Sequence, residues 1–339
     1  MPPAGFEPAH PPPEGGALSP ELRGREAELY RTEPGGPDPR TLSWRTENGT
    51  SRVMAAAATR MLMREVPVDS THPICRACGV QYEVEHDLGH CPICDDDRQY
   101  IPAGGQRWTT LAQLHSEGHR NVIRDEIRGV TGIGTEPRFA IGQRALLIPG
   151  SGGNLLWDCV TYLDDDTVKA IRALGGVTAI AISHPHYYGA MVQWSEAFDG
   201  APIFVHARDR QWVQRGGPVE SWEGDSVQVL PGRTLLRAGV HFAGGTIVHW
   251  SQGPNGNGAL CTGDIFQVVE DRRWLSFMYS YPNLIPEHPE TVRRAVRLVD
   301  PLPFDTIYGA WWGKVITEDA KGAVTRSARR DLQHIGQEL

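Results

Sequence analysis

Thirteen histidines and six cysteines occur in 339 residues, and those placed to do chemistry fall into two groups. The first is Cys75-x2-Cys78-x12-Cys91-x2-Cys94, four thiols at zinc-ribbon spacing. Gly79 follows Cys78 directly and Pro92 lies inside the second pair. A tight turn of this kind lets two sulfurs face one tetrahedral ion. Four sulfurs leave no open position on the ion, so structural zinc is the leading reading, with a rubredoxin-like iron site or a redox dithiol as alternatives. The neighbouring His72, His86 and His90 read as solvated loop residues, and loss of this small module should disturb the rest of the chain little.

The second group begins in Ile180–Tyr188, the run IAISHPHYY. A buried strand ends at Ser183, and the loop beyond it projects His184 and His186. Alternation along an extended segment puts both imidazoles on one side, where they can share an ion. A lone His-x-His is weak, because ordinary loops contain it too. Its companions strengthen it. Asn154-Leu155-Leu156-Trp157-Asp158 ends a strand on a carboxylate, His241 sits in the Gly-rich stretch Gly239–Gly245, and Leu260-Cys261-Thr262-Gly263-Asp264 ends another strand on a carboxylate.

The elements that must hold these residues follow from periodicity. Trp108–Glu117 reads as a helix, with Trp108, Leu111 and Leu114 at helical spacing. Arg138–Ile148 and Gly153–Val160 read as strands. Thr167–Leu174 reads as a helix stopped by Gly175-Gly176, and Val177–Ile182 as a fully buried strand. Pro202–Val205, Thr234–Ala238, Thr246–His249 and Ala259–Thr262 are further strands, and Thr291–Leu298 is a late helix. Strands alternating with helices make an α/β domain over 106–339, preceded by a ribbon module over 71–105.

In order, a strand-end Asp, a His-x-His loop, a Gly-rich turn bearing His and a Thr-Gly-Asp strand end resemble the metallo-β-lactamase-fold superfamily across about 125–320. SHPHYY, FMYSYPNLIP and YGAWWG are similar to a branch of bacterial hydrolase-like proteins, often preceded by a CxxC ribbon. The resemblance implies an αββα sandwich, a three-imidazole site of His184, His186 and His241, and Asp264 as a bridging ligand. Asp158 would orient a ligand histidine from behind. The superfamily loop usually continues His-x-His-x-Asp-His, whereas Tyr188 and Gly189 stand in the last two places. A final metal-binding His also has no counterpart in Tyr308-Gly309-Ala310-Trp311-Trp312-Gly313. The three ligands of one ion are kept and those of a second are lost. Asp264 and Tyr188 are the candidate catalytic groups, Tyr188 as acid or oxyanion donor because its pKa near ~10 bars it from acting as a base at neutral pH. Asp158 or His206 standing in for the missing ligands is the alternative.

Bulk properties narrow the function. A net charge of −8 gives no basic field for a polyanion, which disfavours a nucleic-acid-processing hydrolase. No apolar run approaches the ~18–20 residues of a membrane span, and paired cysteines outside a disulfide framework suit a cytoplasmic setting. The expected activity is hydrolysis of a small ester, thioester or lactone-like substrate by one Zn2+ or other divalent ion. The alternative is a non-hydrolytic metal-binding or interaction protein, its ribbon contacting a protein partner. His206, Cys159 and Cys261 read as structural, and Trp311 and Trp312 as either core or pocket wall. Residues 1–70 are Pro/Gly-rich and coil-like. Gly5-Phe6-Glu7-Pro8-Ala9-His10 and its continuation resemble a translated reverse strand of a tRNA gene, which suggests a true start at Met54, Met61 or Met63. An authentic disordered tail is the other reading.

Overall fold

The computed structural model describes residues 71–339, so the expected tail and its alternative starts lie outside the described residues. Strands β1 (Ile74–Cys75) and β2 (Trp108–Thr109) pair antiparallel around the four-cysteine segment, where Cys91 opens the one-turn helix α1 (Pro92–Asp95). The helix expected over Trp108–Glu117 is shorter. Trp108 is used in β2, Thr110 accepts the Gln113 amide as N-cap, and α2 spans Leu111–Ser116.

Seven strands form the first sheet in the order β3 (Arg120–Asp125), β4 (Thr131–Glu136), β5 (Ala145–Ile148), β6 (Leu155–Trp157), β7 (Ala179–Ala181), β8 (Ile203–His206) and β9 (Val219–Trp222). β3 to β6 are antiparallel, and β6 to β9 are parallel. Crossover helices α3 (Asp165–Ala173) and α4 (Met191–Ala197) make the parallel half possible. The strand expected from Arg138 begins only at Ala145, because Ala140 takes a left-handed φ of 49° that no strand continues through.

In the second sheet β10 (Ser226–Leu230), β11 (Arg233–Arg237), β12 (Thr246–Trp250) and β13 (Ala259–Gly263) are antiparallel neighbours. The chain then makes two ribbons, β14 (Gln267–Val268) with β15 (Leu275–Ser276) and β16 (Met278–Ser280) with β17 (Ile285–Pro286). After helix α5 (Pro289–Val299) it returns as β18 (Thr306–Gly309), parallel to β13, with β19 (Val315–Ile316) at the edge and helix α6 (Ala320–His334) last.

Period-two alternation stacks these sheets face to face. Leu146, Ile148, Leu155, Trp157, Ala179 and Ala181 meet Leu235, Val248, Trp250, Ala259 and Cys261 in one core between the sheets. The residues between them point outward. Leu147, Leu156 and Ile180 pack with Val168 and Ile171 of α3 and Trp194 of α4. On the far side Leu236, Ile247, Leu260 and Ile307 pack with Val292 and Ala295 of α5 and Ala323 and Val324 of α6. The architecture is therefore helix, sheet, sheet, helix: the αββα sandwich, with the small four-cysteine module on the α3–α4 side. That module is not loosely attached. Cys75, Cys78, Tyr82 and Ile93 share the first outer core with Tyr188 and Met191, which corrects the expectation that its loss would leave the large domain undisturbed. No helix among the described residues is long and apolar enough to cross a membrane.

Candidate metal centres

All six cysteines are buried free thiols. The Sγ atoms of Cys75, Cys78, Cys91 and Cys94 all lie within 4.8 Å of one another, with Cys75–Cys94 at 3.6 Å and Cys78–Cys91 at 3.8 Å. A tetrahedron with metal–sulfur bonds of ~2.3 Å has edges of ~3.8 Å, whereas a disulfide needs ~2.05 Å. Hydrogen bonds from its cysteine neighbours, Cys78 first, pull the Cys75 thiol far down, while burial pushes the Cys78 thiol up. The four cannot all be thiolates without a cation among them. Donors already face the sulfurs: the Ala77 amide and the Gln106 side chain on Cys75, and the Tyr82 hydroxyl 2.9 Å from Cys91. The donor set fits one closed, thiophilic ion.

The second centre lies where both sheets end. His184 follows β7, His241 follows β11, and Asp264 follows β13, so both sheets contribute: His184, His186 and His241 cluster, and Asp264 stands beside His184. His184 leaves the strand in extended backbone, but Pro185–Tyr187 then winds into a 3₁₀ turn. Convergence with His186 thus comes from a strand-to-turn transition and not from the expected pleat alternation. The three ring centroids form a nearly equilateral triangle, 5.0, 4.9 and 4.9 Å on a side. His241 Nε2 stands 3.1 Å from His186 Nδ1, and Asp264 Oδ1 stands 3.5 Å from His184 Nε2.

Neighbouring groups fix the tautomers. His241 Nδ1 donates to the Tyr279 carbonyl at 2.7 Å, which leaves Nε2 with its lone pair facing the triangle. Ser183 Oγ lies 2.9 Å from His184 Nδ1. Asp158 reaches His184 only through that serine, since its Oδ1 accepts the Ser183 amide at 2.8 Å. Burial lowers all three imidazole pKa values, His241 to about 4 and the other two well below the usual range, so the rings are neutral donors. Burial pushes Asp264 and Asp158 up to about 7 each. His184 Nε2, His186 Nε2, Asp264 Oδ1 and the Tyr187 hydroxyl are buried without a hydrogen-bond partner. The ligand atoms of the three histidines lie within 4.8 Å of one another, and the unpartnered Asp264 Oδ1 stands 3.5 Å from the unpartnered His184 Nε2. A cation satisfies such buried lone pairs, so these residues fit a divalent metal.

Not every expected site residue arrives here. The Tyr188 hydroxyl donates to the Asp209 carbonyl at 3.0 Å, and the tyrosine ring near the imidazoles belongs to Tyr187, 4.4 Å from the His184 ring and beside Asp264. The proposed stand-in His206 has both nitrogens engaged, by the Gly224 carbonyl and the Arg208 amide. Trp312 lies over Gly132 and Gly134 of β4 and under the Arg124 guanidinium. Burial pushes the Cys261 thiol up to about 12 and the Cys159 thiol well above its ordinary value, which makes both inert core groups. Three contributors lie outside the expected site residues, although Tyr281 falls in the FMYSYPNLIP segment that the resemblance includes. Glu287 accepts the His241 amide at 2.7 Å and holds that residue at a left-handed φ of 68°. Tyr281 donates to the Asp264 carbonyl, and Arg98 reaches the site from the four-cysteine module. None carries a spacing signal, because each is brought in by the fold.

No family model matches the chain. Among curated relatives, the uncharacterized protein YmaE of Bacillus subtilis (strain 168) is 48% identical over 269 residues, covering 78% of this chain and 97% of the relative. Solved structures similar to it include the metallo-beta-lactamase FIM-1 from Pseudomonas aeruginosa in its mono-zinc form, 11% identical with a TM-score of 0.48 over 62% of this chain and 95% of that one. A metallo-beta-lactamase from Pontibacter korlensis is 13% identical, with a TM-score of 0.45 over 62% and 97% of the two chains. On its likeness to the Bacillus relative, the chain belongs to the YmaE family.

Proposed function

We propose that the chain is a metal-dependent hydrolase with one ion at His184, His186 and His241, acting on a small ester, thioester or lactone-like substrate, and that the four cysteines hold a structural zinc. The observation that carries this reading is three buried imidazoles with ligand atoms within 4.8 Å of one another, beside an unpartnered Asp264 Oδ1 3.5 Å from His184 Nε2. When bound, a divalent ion supplies Lewis-acid polarisation of the oxygen that gains charge during acyl transfer. Asp264 completes the donor set and is the candidate proton acceptor. Tyr187 takes the role first assigned to Tyr188. Burial holds its pKa far above the ordinary value, so it stays protonated and donates toward charge developing beside Asp264. Ser183 and Asp158 keep His184 aimed, and Glu287 keeps His241 aimed. Membership of the SHPHYY hydrolase-like branch and a cytoplasmic setting, where four thiols stay reduced, belong to the same reading.

Protein purified under reducing conditions should carry two ions per chain by elemental analysis, and His186→Ala one. Turnover of activated esters should be lost with chelator and with His186→Ala. Two ions with no chelator-sensitive turnover would refute the hydrolase and leave the metal-binding alternative. Three ions would refute the one-metal site.

A further inference from the structure

The residues that follow Cys94 run directly into the histidine site. Arg98 is clamped by Asp96 through two parallel hydrogen bonds, Nε–Oδ1 at 2.6 Å and Nη2–Oδ2 at 2.8 Å. Its guanidinium stacks 3.9 Å from the centroid of Phe242, and its Nη1 donates to the His241 carbonyl at 3.4 Å. The Phe242 ring in turn touches all three imidazoles, at 5.5 Å from His184, 4.9 Å from His186 and 5.0 Å from His241. Asp97 makes a second connection. Its Oδ1 accepts the Tyr279 hydroxyl at 2.8 Å, and its carbonyl accepts Ser280 Oγ at 2.8 Å and Asn283 Nδ2 at 2.7 Å. Tyr279 is the residue whose own carbonyl fixes the His241 tautomer.

The same stretch is anchored at its other end by sulfur. Cys94 sits within α1, whose last residue is Asp95 and whose C-cap is Asp96. An ion held by the four cysteines therefore fixes the helix that presents Asp96, Asp97 and Arg98. We propose that Arg98, locked by Asp96, is a positioning residue for the three-histidine site, and that metal binding at the cysteines and at the histidines is thereby linked. This rests on the metal reading above. It gives the four-cysteine module a use inside its own chain. Linkage is reciprocal, so each ion strengthens the other's site by one factor. Outer-shell partners of ligand histidines typically change metal affinity ~10–100-fold.

The test uses the full chain with zinc in the four-cysteine centre, titrated with cobalt(II) against a competing chelator while the electronic absorption of histidine-bound cobalt is followed. Arg98→Ala and Asp96→Asn should each weaken cobalt binding about 10-fold or more and alter the spectrum, with the thermal midpoint little changed. Arg98→Lys keeps the charge but not the bidentate fork, and should fall between wild type and Arg98→Ala. Cys94→Ser should weaken cobalt binding similarly. If that variant does not fold, the Arg98 and Asp96 variants decide alone. Wild-type affinity and spectrum in Arg98→Ala would overturn the linkage and leave the metal site standing. Failure of the wild-type histidines to take up cobalt would remove the metal reading, and this inference with it.

Discussion

Zinc should raise the thermal midpoint of the wild-type chain well beyond what it does for His241→Ala. Two buried polar atoms without partners stand 3.5 Å apart at the histidine site, His184 Nε2 and Asp264 Oδ1. Leaving such an atom unsatisfied costs ~1–3 kcal/mol, so the metal-free site carries a penalty on the order of 2–6 kcal/mol that a bound ion relieves. Free zinc at a thousandfold excess over its dissociation constant stabilises by ~4 kcal/mol, which lies within that range. At roughly 2–4 °C per kcal/mol for a domain of this size, the shift is about 8–16 °C. The assay is calorimetric melting with zinc and with chelator, in wild type and His241→Ala. The four-cysteine centre contributes to the zinc shift of both proteins, and the cost of alanine at the left-handed backbone of residue 241 is present in both melts of the variant. Both cancel in the double difference. An equal zinc-induced shift in the two proteins would refute the reasoning, because the unpartnered atoms would then owe nothing to a cation.

Three further outcomes are expected. Glu126 and Arg144 form a buried pair at 3.0 Å that ties β5 to the Gly309 carbonyl, so Glu126→Gln should lose roughly 3–5 kcal/mol in denaturant unfolding. A loss below about 1 kcal/mol would show the guanidinium is satisfied by backbone alone. Gly263 has φ +54°, and a Cβ there would lie 3.0 Å from Ser183 Oγ and 3.2 Å from Asp158 Oδ2. Gly263→Ala should therefore cost ~1–3 kcal/mol and lower metal content at the histidines, and unchanged content would detach Asp158 and Ser183 from the site. Tyr187→Phe should reduce turnover ~100-fold or more, while Tyr188→Phe, losing a hydrogen bond to the Asp209 carbonyl, should cost ~1 kcal/mol of stability with turnover retained. The reverse ranking would restore the original assignment to Tyr188.

What could be read from the sequence follows a physical division. Strands buried on both faces, such as Ala179–Ala181 and Ala259–Gly263, announce themselves as continuous apolar runs, and the histidines and aspartates at their ends come into view with them. The four cysteines are legible because ligand spacing is itself a local constraint. Helix α4 (MVQWSEA) is not, because six of its seven residues are buried and no polar face marks its period. The hairpin of β3 and β4 is hidden for the opposite reason: β3 is mostly polar with no fully buried residue, and β4 carries two glycines that make room for Trp312. The placement of Tyr188 relative to Tyr187 is decided at the 3₁₀ turn. Successive residues of a helical turn point in different directions, so the Tyr187 ring lies 4.4 Å from the His184 ring while the Tyr188 hydroxyl reaches the Asp209 carbonyl. Arg98, Glu287 and Tyr281 reach the site across 143, 46 and 17 residues, distances at which no local pattern survives.

The loss of the second ion's ligands and the presence of the four-cysteine module are physically one arrangement. Tyr188 and Gly189 stand where the resemblance would place Asp and His. The Tyr188 side chain is buried in the core that contains Cys75, Cys78 and Ile93. Gly189 accepts the Gln81 amide of the module at 3.0 Å, and it does so at φ +48° with the Cys159 and Val160 carbonyls 3.2 Å from where a Cβ would be. An imidazole at 189 would be strained in backbone and blocked in space. A carboxylate at 188 would be buried among apolar side chains in place of a tyrosine whose one polar atom is satisfied. The loop can carry two more ligands or serve as the floor on which the module docks, and its backbone cannot do both. Docking in turn brings Asp96, Asp97 and Arg98 against Phe242, Tyr279 and His241. On the function proposed above, the module occupies the ground of a second ion while supplying contacts that would steady the first, which is why that reading assigns the histidines one ion.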